Sequence, residues 1–116
     1  MSDNCLFCRI AQGEIPSNTV YEDDQVFAFH DISPQAPTHV LVIPKQHIAK
    51  LSDVTATERE TMGILMERTA HVAQQLGLNG DGYRIIINNG SHGGQEVFHI
   101  HVHILGGKRI GPMVCR

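Results

Sequence analysis

The clearest pattern of apolar and polar positions lies near the end of the chain, over residues 97–105. Apolar residues alternate there with histidines: the apolar positions are Phe98, Ile100, Val102 and Ile104, and the histidines are His99, His101 and His103. A period of two predicts a β-strand, whose successive side chains point to opposite faces. We therefore expect the apolar set to enter the core and the imidazoles to line the other face. Alternate strand residues lie about 6.6 Å apart, so two neighbouring imidazoles could reach one phosphate-sized group.

The remaining apolar runs predict four further strands and two helices. The strands are expected at 20–21, 26–30, 39–44 and 83–88, the third of them nearly all apolar and so buried on both faces. A short helical face at 6–11 ends before Gly13. The long helix begins near Thr55, where Thr55 and Glu58 form a capping box, and ends at Gly77. Its core-facing stripe comprises Met62, Leu65, Met66, Thr69, Val72, Ala73 and Leu76, with His71 beside it on the surface.

Composition narrows the class of protein. The 116 residues suffice for one domain, and we expect a single domain over 1–116 with an irregular, glycine-containing tail from about 106 to 116. A net charge of -3 and the absence of Trp argue against nucleic acid or anionic lipid as partners. No apolar run reaches the roughly 18 to 20 residues of a membrane span, and the start does not resemble a signal peptide. Three cysteines, an odd number, fit a reducing compartment, so we expect a cytoplasmic protein in which Cys115 is an incidental free thiol.

The Cys5-Leu6-Phe7-Cys8 segment indicates metal or redox chemistry. The redox form normally follows a strand, and nothing strand-like precedes Cys5, so zinc is the better interpretation; accidental spacing is the alternative. Two thiolates make half of a tetrahedral site. The candidates for the other two ligands are His47 and His99, which would leave His101 and His103 for phosphate.

The histidines permit nucleophilic chemistry, because neutral imidazole is a competent nucleophile near physiological pH. His101 has a neighbour on each side and is the candidate to attack phosphorus. The loop at 89–96 is longer than a hairpin needs, and the backbone N–H groups of Gly93-Gly94-Gln95 could form an anion nest. No Walker-type phosphate loop is present. The rival hypothesis is a catalytic metal held by two or three of the same histidines.

The segment His99-Ile100-His101-Val102-His103-Ile104-Leu105 resembles the His-φ-His-φ-His-φ-φ signature (φ, apolar) of the histidine triad, or HIT, proteins. Residues 29–39 and the Gly93-Gly94-Gln95 run resemble the Hint-like purine nucleoside phosphoramidase branch, and the resemblance covers nearly the whole chain. It implies an α+β fold: a five-stranded antiparallel sheet with one long and one short helix, pairing in a homodimer into a ten-stranded sheet. It also implies hydrolysis of the P–N bond of purine nucleoside (adenosine) 5′-phosphoramidates through a covalent nucleotidyl-histidine intermediate.

The same resemblance implies a role for each site residue. His101 is the nucleophile, His103 contacts the phosphate and the leaving group, and His39 supports the triad. The nucleotide-binding residues are Phe7, Ile10, Phe29 and Ile32 around the purine, Asp31 at the ribose, and Asn88, Gly94, Gln95 and Glu96 at the α-phosphate. Glu96 replaces a phosphate-contacting serine of the animal members, so only its N–H is expected to help. Zinc-bearing HIT proteins hold one structural zinc per subunit with the residues matching Cys5, Cys8, His47 and His99.

Three other functions remain open at this point. The protein could be a nucleotide-binding or scaffolding protein with incidental turnover, a dinucleoside polyphosphate hydrolase, or a hydrolase whose catalytic zinc lies on the triad.

Overall fold

The computed structural model describes residues 4–114 and contains a single five-stranded sheet. The strands are β1 (Thr19–Glu22), β2 (Val26–His30), β3 (Thr38–Pro44), β4 (Arg84–Ile86) and β5 (Val102–Gly106), and the helices are α1 (Leu6–Ala11) and α2 (Arg59–Gln75). The order across the sheet is β1-β2-β3-β5-β4, with every neighbouring pair antiparallel. The predicted α+β fold, with one long and one short helix on a five-stranded antiparallel sheet, is confirmed.

The central strand β3 is covered on both faces, as its apolar run predicts. Val40 and Val42 belong to a cluster that includes Leu65 and Val72 of α2. Leu41 and Ile43, on the opposite face, belong to a second cluster of apolar and thiol side chains. The rest of that cluster comes from β2 and the N-terminal segment: Phe27, Phe29, Cys5, Phe7, Cys8 and Ile10. The short helix α1 therefore packs on the sheet face opposite α2, the face that also carries His101.

The predicted capping box is present just before the long helix. The Thr57 N–H donates to Thr55 Oγ1 at 3.2 Å, and the Thr55 N–H donates to Glu58 Oε1 at 2.8 Å. The box stands at the head of a 3₁₀ turn, Ala56–Glu58, which leads into α2. One stripe residue is placed wrongly by the pattern, because Met66 lies at the edge of the buried face and is 37% exposed. His71 is on the surface, as expected, with its ring 5.3 Å from that of Tyr21.

The histidine segment departs from the predicted continuous strand. Only Val102–Gly106 pairs in the sheet, and residues 97–101 lie outside it. The departure occurs because the Ile100 N–H donates to the carbonyl of Ile48 at 2.7 Å, beyond the end of β3. Ile100, Val102 and Ile104 are buried as predicted, whereas Phe98 is 47% exposed and does not enter the core.

After β5 the described chain contains neither helix nor strand from 107 to 114. Gly106 itself is the last residue of β5. The guanidinium of Arg84 donates to the carbonyls of Gly111 and Pro112 at 3.0 and 3.1 Å, which fastens this tail to β4. Cys115 lies outside the described residues. Among residues 4–114, no helix is long and apolar enough to cross a membrane.

A hydrogen-bonded carboxylate, Asp23, joins the β1–β2 turn to α2. Asp23 Oδ2 accepts from Tyr21 Oη at 2.8 Å and from Arg68 Nε at 2.6 Å, and Arg68 also pairs with Glu67. Asp23 Oδ1 accepts two backbone N–H groups of the turn at 2.8 Å each. Burial alone would raise the pKa of Asp23, but the hydrogen bonds from Arg68, Tyr21 and the backbone outweigh it and hold that pKa well below its usual range.

Asp23→Asn is therefore expected to lower the free energy of unfolding at pH 7 by about 1.5 to 3 kcal/mol, the range for hydrogen bonds to a charged group. Because the folded-state pKa is depressed, this contribution is complete above the unfolded value of about 3.9 and is lost as the pH falls below it. Urea unfolding of both proteins between pH 7 and pH 3 measures the difference, which should shrink in acid. The exposed neighbour Asp24 supplies the control, since Asp24→Asn should change stability little at either pH. A difference between Asp23→Asn and the parent that does not vary with pH would contradict the assignment.

Candidate active site and metal centre

The structure divides the three triad histidines between two sites. His101 and His103 face each other with ring centroids 4.9 Å apart, and His39 of β3 lies 5.2 Å from His103. His99 turns away toward Cys5, Cys8 and His47. This division follows from the departure at 97–101, which lets His99 point into a different part of the molecule from its neighbours. The three imidazoles of the triad therefore do not converge on one metal ion.

The hydrogen bond of His101 defines its reactive atom. Nδ1 of His101 lies 2.7 Å from the carbonyl oxygen of His99. A carbonyl oxygen only accepts, so Nδ1 carries the proton and the lone pair of the neutral ring is on Nε2. The ring is 7% exposed and packs edge-on against Phe7, with centroids 5.0 Å apart. His101 is therefore held as a neutral imidazole with a defined nucleophilic nitrogen.

A chain of donors fixes the tautomers of His39 and His103. The backbone N–H of Gln35 donates to His39 Nδ1 at 3.0 Å, so the neutral ring of His39 carries its proton on Nε2. That Nε2 lies 2.9 Å from His103 Nδ1 and 3.5 Å from Asp31 Oδ2. When His39 donates to His103 Nδ1, the proton of neutral His103 stands on Nε2. His103 then offers an N–H donor beside the lone pair of His101.

Burial favours the neutral form of these imidazoles. It lowers the pKa of His101 and of His39, and together with the neighbouring His101 and His39 it lowers the pKa of His103 to about 4. The carboxylate of Asp31 acts in the opposite direction on all three rings but does not outweigh burial. At neutral pH the cluster therefore carries an unprotonated nucleophile.

These histidines line an open cleft of about 550 Å³. All but one of the residues assigned above to catalysis or nucleotide binding border it: His39, His101, His103, Phe7, Ile10, Phe29, Asp31, Ile32, Asn88, Gly94 and Glu96. Phe7 and Phe29 are buried walls with ring centroids 5.4 Å apart, whereas Ile32 stands at the mouth and is 98% exposed.

Gln95 is the exception, because its side chain braces the loop instead of facing the cleft. Its Nε2 donates to the carbonyls of Ala49 and Val97, and its Oε1 accepts the Gly90 N–H. The N–H groups of Gly94 and Gln95 donate to carbonyls of Ser91 and Gly90. The anion nest expected at Gly93-Gly94-Gln95 is therefore wrong for those two groups, which are consumed by the loop's own turn.

The loop nevertheless needs its glycines. A Cβ on Gly93 would come within 2.8 Å of the Asn89 carbonyl oxygen, and Gly94 has a φ of +83°, where side chains are strained. The two glycines are therefore required for the backbone, by a close approach at Gly93 and by a positive φ at Gly94.

Sequence reasoning missed several residues of the cleft. They are Leu6, Ser33, Gln35, Leu41 and Val97. Gln35 acts through its backbone N–H, which no residue type could reveal. Leu6 lies on the apolar face predicted for the helix at 6–11, but it is 44% exposed at the cleft. The position of Leu6 immediately beside Phe7, on the segment that resembles the purine-binding part of the family, is a signal that could have included it.

The second site gathers Cys5, Cys8, His47 and His99. Their ligand atoms all lie within 4.8 Å of one another. His99 Nδ1 is 3.3 Å from Cys5 Sγ, 3.4 Å from Cys8 Sγ and 3.3 Å from His47 Nδ1. His47 Nδ1 is also 3.3 Å from Cys8 Sγ. Both cysteines and His99 are buried.

The donor set fits a zinc ion. Zinc bonds of about 2.3 Å to sulfur and about 2.0 to 2.1 Å to nitrogen, in a tetrahedron, require ligand atoms about 3.3 to 3.8 Å apart. His99 Nε2 lies 2.7 Å from the Pro44 carbonyl and donates its proton there, which leaves Nδ1 free to bind a metal. Burial, with the neighbouring His47 and His101, lowers the pKa of His99 to about 4. A second group of donors, Asp31, His39 and His103, also lies close together.

Comparisons with known proteins bear on both sites. A family model described as the HIT domain matches residues 12–110, which include His39, His47 and the whole triad. The chain belongs to the HIT family. It is 50% identical over 115 residues to the purine nucleoside phosphoramidase of Escherichia coli K12, covering 99% of this chain and 97% of that protein.

Solved HIT structures show the same fold. A histidine triad protein from Clostridium difficile matches with a TM-score of 0.94 at 45% identity, over 98% of this chain and 99% of that one. A HIT family hydrolase from Legionella pneumophila matches with a TM-score of 0.89 at 54% identity, over 91% of this chain and 95% of that one. Cys5 and Cys8 lie before the residues that the HIT model matches, so the metal centre rests on the geometry of this chain.

Proposed function

We propose that this protein hydrolyses the P–N bond of purine nucleoside 5′-phosphoramidates through a nucleotide covalently attached to His101. The observation that carries the proposal is the Nδ1–H of His101 bonded to a backbone carbonyl, which leaves Nε2 as a neutral nucleophile in the cleft. The name of the Escherichia coli relative supports the choice of substrate.

The first step forms a bond between His101 Nε2 and phosphorus and breaks the P–N bond. The electron pair of that bond goes to the amine nitrogen, which takes a proton from solvent as it leaves, while the Nε2–H of neutral His103 hydrogen-bonds to the departing group. The positive charge that develops on His101 is stabilised by its Nδ1–H bond to the His99 carbonyl. The geometry thus separates the two roles, with a lone pair on His101 and a proton on His103.

The second step is the hydrolysis of the nucleotidyl-histidine. Water attacks phosphorus, the bond to His101 Nε2 breaks, and the ring returns to its neutral form. The proton released by the attacking water returns to solvent, so the site is regenerated and the products are the amine and the nucleoside 5′-monophosphate. His39 keeps His103 in the required tautomer throughout, because Gln35 holds the other side of the His39 ring.

The nucleotide is proposed to bind across the cleft. Phe7, Ile10, Phe29 and Ile32 would border the purine, and the carboxylate of Asp31 would accept from the ribose hydroxyls. Asn88 and the backbone N–H of Glu96 would contact the phosphate, and Gly94, whose own N–H is bonded within the loop, would border it. The buried wall formed by Phe7 and Phe29 is chemically suited to a flat base.

We further propose one structural zinc per subunit, held by Cys5, Cys8, His47 and His99. When bound, the ion would supply cross-linking only, because four protein ligands leave no position for water. It would connect the N-terminal segment, the loop that follows β3 and His99, which lies two residues before the proposed nucleophile His101. Thiolate ligands must be reduced, which agrees with a cytoplasmic location.

A homodimer through β4 is also proposed. β4 is one edge of the sheet, and it presents Ile85, which is 39% exposed, beside the 37%-exposed Tyr83. The other edge, β1, presents Thr19 and Glu22 to solvent instead. An apolar edge strand is a template for pairing with another chain, and pairing two copies here would give the ten-stranded sheet.

A substrate panel tests the proposed reaction. Adenosine and guanosine 5′-phosphoramidates, a dinucleoside polyphosphate and free AMP are each offered to the protein, and product formation is followed by chromatography. We expect turnover of the phosphoramidates with release of amine and nucleoside monophosphate, because the leaving nitrogen would meet the Nε2–H of His103 beside the attacking atom of His101. Faster cleavage of the dinucleoside polyphosphate would reassign the enzyme, and binding without turnover would make it a nucleotide-binding protein.

A further inference from the structure

A second cavity, of about 360 Å³, adjoins the catalytic cleft and has no role in the mechanism above. It lies between the N-terminal segment and the residues that precede His99, and it is lined by Asn4, Cys5, Leu6, Glu96, Val97 and Phe98. Leu6, Glu96 and Val97 line both this cavity and the cleft. The two spaces therefore adjoin at those three residues.

Most of the residues that line this side cavity are apolar, and the one charge among them is negative. Leu6 and Phe98 are large side chains that are 44% and 47% exposed. Glu96 is the only charged residue among those that line the cavity. Within residues 4–114 the Glu96 carboxylate has no hydrogen-bond or ion-pair partner. An unpaired, exposed carboxylate beside the apolar side chains of this cavity favours a ligand that has an aliphatic part and a positive charge.

The position of the cavity identifies which part of a substrate could enter it. None of Phe29, Asp31 and Ile32, which are proposed to hold the base and the sugar, lines it. The phosphate is also excluded, because a carboxylate repels a phosphoryl group. The part of a phosphoramidate that remains is the amine bonded to phosphorus, which extends from the reacting centre.

We propose that the side cavity is the subsite for the leaving group and that it selects amines with an aliphatic chain ending in a second, positively charged ammonium. This inference rests on the proposed function and adds the class of leaving group to it. Glu96 pairs with the distal ammonium, while Leu6, Val97 and Phe98 cover the methylene stem. The Glu96 carboxylate would weaken the binding of a nucleotide that carries only a phosphate. When the substrate carries a distal ammonium, the same carboxylate favours that substrate.

The test uses three adenosine 5′-phosphoramidates that differ only at the far end of a six-carbon amine. The ends are a methyl group, an ammonium and a carboxylate, so the reacting nitrogen is electronically alike in all three. In the parent protein the kcat/KM for the ammonium compound should exceed that for the methyl compound by about two- to fivefold, the effect of one exposed ion pair. The carboxylate compound should be the poorest substrate.

The ratio of kcat/KM for the ammonium compound to that for the methyl compound, taken within one protein, separates the amine contact of Glu96 from the contacts that the same loop makes to phosphate. In Glu96→Gln the ammonium-to-methyl ratio should fall to about one, whatever the change in absolute rate. Glu60→Gln, which removes an exposed carboxylate in the first turn of α2, is the matched control and should keep the parent ratio. Raising the salt concentration from 0.1 to 1 M should also reduce the ratio in the parent, because the screening length falls from about 10 to about 3 Å.

Phe98→Ala tests the apolar wall. It should reduce the preference of the parent for a six-carbon over a three-carbon amine, by about two- to fourfold for each methylene no longer covered. An ammonium-to-methyl ratio that is the same in the parent and in Glu96→Gln would overturn the inference alone, leaving the phosphoramidase reaction in place. Failure to cleave any of the compounds would overturn the proposed function and this inference together.

Discussion

Replacing His101 with alanine is expected to abolish turnover, lowering kcat on the order of 10⁴-fold or more, while nucleotide binding stays largely intact. The substitution removes the nitrogen that attacks phosphorus. It keeps the backbone that carries His103, and the purine and ribose contacts come from other elements. His101→Asn should behave in the same way, because an amide of similar shape has no nucleophilic lone pair.

Kinetics and AMP binding by calorimetry measure the two effects separately. His71→Ala is the matched control, since that histidine is exposed on α2 and should leave both quantities near those of the parent. His103→Ala should be the milder lesion, costing about 3 to 4 kcal/mol of transition-state stabilisation, because it removes a donor and not the attacking atom. A His101 variant with near-normal turnover would refute the covalent mechanism.

Cys5→Ser and Cys8→Ser are each expected to release the metal and to lower the melting temperature by about 10 °C or more. Structural zinc contributes directly to folding free energy, and a loss of 1 kcal/mol shifts the melting temperature of a domain of this size by several degrees. The effect should be large here because the four ligands come from three separate parts of the chain. Activity should fall only as far as the segment from His99 to His101 loosens.

Elemental analysis and thermal unfolding of the same preparations decide the metal assignment. The parent should contain one zinc per subunit, and Cys115→Ser, the matched thiol control, should retain it. A metal-free native protein whose melting is unchanged by added zinc or by a chelator would leave Cys5 and Cys8 as ordinary buried thiols. Loss of activity on chelation with no change in melting would instead favour a catalytic metal.

The elements with a strong local signal could be predicted from the sequence. β3 is an apolar run, which predicts burial on both faces. The 3₁₀ turn that leads into α2 begins at a capping box whose hydrogen bonds involve only Thr55, Thr57 and Glu58. The Cys-x-x-Cys spacing likewise places half of the proposed metal ligands within one turn. In each case the decisive interactions join residues close in sequence, or depend on a period that the sequence displays directly.

The features that could not be predicted depend on contacts between distant backbone groups. The period of two at 97–105 indicates a strand that includes Phe98. In the structure the strand begins only at Val102, and the backbone N–H of Ile100 instead donates to the carbonyl of Ile48, beyond the end of β3. Gln35 acts on His39 through a backbone N–H, and Gln95 braces its loop through a carbonyl of residue 49. Such interactions are insensitive to residue type, so no pattern in the sequence reports them.

The central claim, covalent catalysis by His101, is tested most directly by trapping the intermediate. An adenosine phosphoramidate is mixed with excess protein, the reaction is quenched in base at times shorter than one turnover, and the peptides are mapped by mass spectrometry. We expect one nucleotidyl group on His101, which appears within the first turnover, decays as AMP forms, and is absent in His101→Asn. AMP release in the first turnover with no adduct on His101, or with the adduct on another residue, would contradict the account.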